Sequence, residues 1–189
     1  MNAGPRCALL VIDLFSTFAF SGGPGLARRA LQIAPNIAAL RARFDQAHAD
    51  VIHANDNFGH WQDDLDTLVG HCRKQGGAAA ELARQLSPAD HHLRLLKPRH
   101  SALHATPLPV LLEQRQIRHV VLAGLATDAC ILATAMEANM RGLHVWVPSD
   151  AVAARTDALH QAGLHILRHG LQIPTIASHS VQGLFPIQT

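Results

Sequence analysis

Cysteine is scarce in this chain of 189 residues, and the three present, Cys7, Cys72 and Cys130, are odd in number and lack the spacing of a disulfide framework. Nothing resembles a secretory leader, and no apolar run reaches membrane-spanning length. The expectation is a reduced, cytoplasmic protein. The 16 basic and 14 acidic residues are interspersed, so no basic stripe is present for nucleic acid or a membrane surface. The 14 histidines are scattered, read mostly as surface residues, and form no HExxH or paired Cys/His metal spacing. No GxGxxG or P-loop follows the first apolar run, which argues against a nucleotide-binding domain. Repeats, linkers and low-complexity segments are also missing.

What is there is 48% hydrophobic residues in a pattern of short apolar runs alternating with helical segments. Strand-like runs span Cys7–Asp13, Asp50–Ala54, His91–Lys97, His119–Ala123 and His144–Val147, with a last short strand expected over Ile173–Ala177. Helical patterns cover Leu26–His48, with a new helix expected to start at Pro35, then 62–73, 77–86, 108–115, 129–141 and 156–169. That alternation predicts an α/β fold in one domain over residues 1–189: three α/β/α layers around a mostly parallel open sheet of five or six strands, with helices on both faces. In such a sheet, ligands bind beyond the C-terminal strand ends. Asp13 and Lys97 both end strands. Read alone, each has a plain alternative: Asp13 as a loop cap and Lys97 as a solvated end.

The chain is organised around residues 119–141, where a buried strand turns sharply at Gly124 into a helix closed by Gly142. Thr127 suits the N-cap, which puts Cys130 at N3, where the helix dipole would lower a thiol pKa. The alternative is a small buried hydrophobe. Asp56, His53 and His60 follow or lie within the second strand and could suggest a metal site, although polar loop residues more often bond the backbone.

Taken together, VIDLF, LLKPRHSAL and AGLATDACILATAMEANMRG resemble the isochorismatase-like cysteine hydrolases. The turn Gly124-Leu125-Ala126-Thr127-Asp128-Ala129-Cys130 matches that family's G-x-A-T-D-x-C pattern, and the resemblance runs from about residue 7 to 155. It implies a catalytic trio of Asp13, Lys97 and Cys130, with Cys130 as nucleophile, Asp13 as base and Lys97 holding Asp13 in place. It also implies a cis peptide at Leu125-Ala126 and an oxyanion hole from the amides of Ala126 and Cys130.

Nicotinamidases of the family carry a metal-binding D-x-H pair where this chain has Asp56-Asn57-Phe58, so neither a metal nor a cofactor is expected. Having Cys130, which true isochorismatases lack, points to hydrolysis of a C–N bond in a small amide or N-carbamoyl compound. Phe15, Phe18, Asp56, Phe58, Trp61 and His100 are the candidate pocket residues. The resemblance further implies a homo-oligomer, dimer or tetramer. The competing reading is a protein of the same fold that binds without turning over.

Overall fold

The computed structural model describes residues 6–186. Its six strands are β1 (Arg6–Ile12), β2 (Asp50–Asp56), β3 (Leu93–Lys97), β4 (Ile117–Leu125), β5 (His144–Trp146) and β6 (Val152–Ala153). They form one sheet in the order β3-β2-β1-β4-β5, with β6 pairing the far end of β4, and every pairing is parallel. The helices are α1 (Gly23–Gln46), α2 (Leu65–Gln75), α3 (Gly77–Leu86), α4 (Leu108–Gln114), α5 (Leu132–Met140) and α6 (Asp157–His165).

The central strands are apolar throughout because both of their faces are covered. Along β1, Leu9 and Val11 enter a core with Ile37 and Phe44 of α1 and Leu82 of α3. Ala8, Leu10 and Ile12 enter a second core with Leu108 and Leu112 of α4 and Ala135 of α5. This period-two division of one strand between two cores is what makes three layers. Burying a side chain the size of Leu9 contributes about 2 kcal/mol before the cost of ordering the chain.

Several local expectations are corrected. Pro35 does not start a helix: α1 runs unbroken from Gly23 to Gln46 with Pro35 inside it. A proline there removes one hydrogen bond, and the fully buried Ala30, Ala34, Ile37 and Leu40 on either side supply the packing that holds the helix together. The last strand is not Ile173–Ala177 but Val152–Ala153, which pairs with Gly124 and Leu125. Residues 173–177 form no strand and make isolated bonds, such as Val147 N–H to Pro174 O at 3.1 Å. The histidines are mostly exposed, as expected, and two are buried. His53 is buried between the rings of Phe15 and His92, and His92 is buried too.

Candidate active site

Three strand ends meet at the C-terminal edge of the sheet. Asp13 follows β1 directly, its N–H bonded to Ala54 O at 3.0 Å and its backbone at φ 52°. One carboxylate oxygen accepts the Asp56 amide at 2.6 Å, and the other lies 2.8 Å from Lys97 Nζ. Lys97, the last residue of β3, has a side chain with 0% exposure. Its ammonium also donates to Arg99 O at 3.1 Å and to Cys130 Sγ at 3.4 Å, and lies 3.7 Å from Asp56 Oδ2. A buried ammonium is tolerable only when its donors are satisfied and its charge balanced, as they are here.

Cys130 sits on the turn after β4, not at N3 of an α-helix. Thr127–Ile131 is a π-helical turn in which Ile131 N–H reaches back to Ala126 O at 3.1 Å, and α5 begins only at Leu132. Thr127 does not cap the helix. Its hydroxyl instead meets His160 Nδ1 of α6 at 2.9 Å. The backbone of α6 comes close because Gly163 has no Cβ, which would fall 2.9 Å from Thr127 O. The Leu125–Ala126 peptide is cis.

The electrostatics of the trio are also not those of a thiol at a helix N-terminus. Burial, and then the negative charge of Asp13, push the Cys130 thiol up to about 12, with Lys97 opposing. Burial likewise raises Asp13 above the usual carboxylate range against the pull of Lys97. The Lys97 ammonium is held above its ordinary value because the negative groups around it outweigh its burial. Burial thus makes both Asp13 and Cys130 hold a proton more tightly than exposed groups do, while the negative groups around Lys97 favour its ammonium form. The thiol pKa is not lowered as expected, because Cys130 does not sit at an α-helix N-terminus and burial raises it instead.

The candidate pocket residues divide. Asp56 belongs to the polar cluster through its amide, and its own Oδ1 accepts Phe58 N–H at 2.7 Å. His100 Nδ1 lies 3.5 Å from Cys130 Sγ. Phe58, 47% exposed, lines a pocket of about 290 Å³ with Ser16, Phe20, Asn57, His60 and Leu96, the neighbour of Lys97; Cys130 is not in its lining. Phe15 and Phe18 are core residues, and Trp61 is 77% exposed outside that lining. Apolar loop residues near a strand end are as well used for packing as for a cavity wall.

Asn55 is a site residue that periodicity does not single out. Buried at the end of β2, it accepts from Phe15 N–H and donates to Phe15 O, both at 2.9 Å, which fixes the loop after Asp13. Its signal is an amide where a buried strand calls for an apolar side chain.

His53, Asp56 and His60 do not form a metal cluster. Burial drives His53 down to about 3, and its ring is stacked between Phe15 and His92. Among the described residues, the group whose ligand atoms all lie within 4.8 Å of one another is Asp45, His91 and His92. His92 Nδ1 accepts the Ala89 N–H at 3.0 Å, so its proton resides on Nε2 and is donated to Asp45 Oδ1 at 2.9 Å. A protonated Nε2 has no lone pair for a metal.

Comparison with known proteins agrees with this architecture. A family model of the isochorismatase domain matches residues 7–178, and the chain belongs to the isochorismatase family. It is 32% identical over 164 residues to the isochorismatase family protein YaaI of Bacillus subtilis (strain 168), covering 87% of this chain and 90% of YaaI. It is 28% identical over 169 residues to the maleamate amidohydrolase of Pseudomonas putida (strain KT2440), covering 85% of this chain and 78% of that enzyme. The crystal structure of an isochorismatase family protein from Desulfovibrio vulgaris superposes with a TM-score of 0.75 at 25% identity, covering 94% of this chain and 96% of that one.

Proposed function

We propose that this protein is a cysteine-dependent hydrolase that cleaves a C–N bond of a small amide or N-carbamoyl compound through a thioester. The observation that carries the reading is the position of Lys97 Nζ, 2.8 Å from the Asp13 carboxylate and 3.4 Å from the Cys130 sulfur. Likeness to a maleamate amidohydrolase supports it.

In this reading Cys130 attacks the substrate carbonyl as its S–H proton passes to Asp13. A raised Asp13 pKa suits that task, since it makes the carboxylate a better base, and Lys97 offsets the negative charge that moves onto sulfur. The amides of Ala126 and Cys130 receive the oxyanion. Asp13 then returns the proton to the leaving nitrogen, whose bond to carbon breaks, leaving the thioester. Water attacks the thioester, one of its protons goes to Asp13, and that proton restores the thiol as the carboxylic acid departs. One amide and one water are consumed for one acid and one amine or ammonia.

The test is ammonia release from a panel of small amides and N-carbamoyl compounds by the wild-type protein and by Cys130→Ala. The expected result is turnover of at least one member by the wild type and none by the folded variant, with a covalent acyl adduct on Cys130 in rapid-quench mass spectrometry. Turnover surviving in Cys130→Ala overturns the mechanism.

A further inference from the structure

We infer that His100 is a catalytic residue of this site, donating its Nδ1–H to the Cys130 thiolate from the solvent side while Lys97 donates from the interior. The imidazole follows Lys97-Pro98-Arg99 on the loop leaving β3, belongs to an exposed residue, and places Nδ1 3.5 Å from the sulfur of Cys130, a residue only 9% exposed. A residue serving only as a pocket wall needs no polar atom against the nucleophile.

The sulfur's hydrogen-bond capacity decides what that atom does. As a thiol, Cys130 has one proton to give, and Asp13 is the partner positioned to take it. After the proton has passed to Asp13, the thiolate can only accept. The groups in contact with it that can donate are then Lys97 Nζ at 3.4 Å and His100 Nδ1 at 3.5 Å. Lys97 is shared with the Asp13 carboxylate and the Arg99 carbonyl, so its three N–H groups are divided among three acceptors. His100 supplies a further donor, and it matters most at the moment Asp13 is protonated and the sulfur carries the negative charge. The groups that face the sulfur are thus Asp13 just after β1, Lys97 at the end of β3 and His100 from the following loop, with Asp56 acting on it through Lys97.

The inference gives the hydrolase reading one more acting residue, yet its measurement needs no turnover. The probe is iodoacetamide, whose reaction with Cys130 reports the available thiolate, followed across the neutral and alkaline range by peptide mass spectrometry of the full chain. His100→Phe keeps a ring and removes both nitrogens. It is expected to slow alkylation of Cys130 at neutral pH about tenfold, the scale of a lost hydrogen bond to a charged atom at an exposed position, and to move the alkylation profile upward by about one pH unit. His100→Asn, whose side-chain amide reaches the position of Nδ1, recovers most of the rate. His100→Gln, which places its amide nearer the position of Nε2, does not.

Alkylation of His100→Phe at or above the wild-type rate overturns the inference, as does His100→Asn behaving like His100→Phe. Circular dichroism of each variant checks the fold, and the Asn and Gln pair decides the matter if the Phe variant does not fold. Ammonia release measured in parallel separates the two claims. Unchanged alkylation with intact turnover removes His100 alone, whereas the expected alkylation pattern with no turnover of any amide removes the hydrolase reading alone.

Discussion

A Cβ added to Gly124 would fall 2.0 Å from the carbonyl oxygen of Ile12, its partner across the β1–β4 ladder. The two residues immediately precede the site on each strand: Ile12 leads into Asp13 and Gly124 into the turn that carries Cys130. Gly124 also holds φ +116°, a region that side-chain-bearing residues rarely adopt. The absence of a side chain at 124 therefore lets the strand ends that lead to Asp13 and Cys130 approach closely.

Gly124→Ala is expected to lose about 3 kcal/mol from the unfavourable backbone conformation and the forced strand separation together. Thermal denaturation measures the loss. Amide hydrolysis by the fraction that remains folded should fall as well, because relieving the contact moves Asp13 away from the sulfur. A variant as stable and active as the wild type would contradict this account of the strand pair.

The pH dependence follows from the direction in which Asp13 is shifted. In the proposed mechanism its carboxylate form takes the thiol proton, and burial raises its pKa, so kcat/KM should fall as the pH drops through a value above the range of an exposed aspartate, about 3.9. The sign for stability is opposite to that of an ordinary ion-paired carboxylate. Between the unfolded and the raised folded pKa the native state binds more protons, so the contribution of Asp13 to stability declines as pH rises through that window. Lys97, also raised, contributes stability below its unfolded pKa that is lost as pH rises through the folded one. A pH–rate profile with its acid limb in the ordinary aspartate range would contradict the Asp13 assignment.

Lys97→Met removes the ammonium from a site where it has no exposure and leaves Asp13 without its partner. Loss of one member of a buried ion pair costs about 3 kcal/mol, and here Asp13 lessens the cost by binding a proton. The expected result is hydrolysis reduced on the order of a thousandfold, with any residual activity shifted to higher pH. Kinetics across pH, with calorimetry for the stability change, provide the check.

Asp150 lies away from the chemistry and ties the end of the described chain to the fold. Its carboxylate accepts Ser178 N–H at 2.7 Å and the Ser178 hydroxyl at 2.8 Å, and it lies 3.1 Å from His179 Nδ1. These bonds hold its pKa down against burial. Asp150→Ala should cost about 2 kcal/mol, seen as a lower melting temperature, with kcat and KM close to those of the wild type. Because its folded pKa is depressed, the stability it supplies is present above the unfolded carboxylate value and lost as pH falls through the folded one.

Much of this arrangement is legible in the amino-acid order because a parallel sheet collects its strand ends at one edge. A carboxylate, an ammonium and a thiol, each closing or following an apolar run, are thereby brought to the same side. The thiol's protonation state is not legible in that way. It depends on how deeply Cys130 is buried and on the distances to Asp13 and Lys97, whereas the local pattern shows only a helix start. The π-helical turn escapes for a similar reason: Thr127 finds His160, 33 residues later, instead of the amides next to it. Pro35 misleads because packing on both sides of it outweighs a local preference. Strand β6 has only two residues, and it is identified by its pairing with Gly124 and Leu125.

The chain carries only one lysine besides Lys97, the exposed Lys74 on α2. Since Lys97 is wholly enclosed, amine-directed reagents have Lys74 as their accessible side chain in the native state. Among its lysines the protein can thus be tethered or tagged at Lys74 alone, while the ammonium that balances the site keeps its charge.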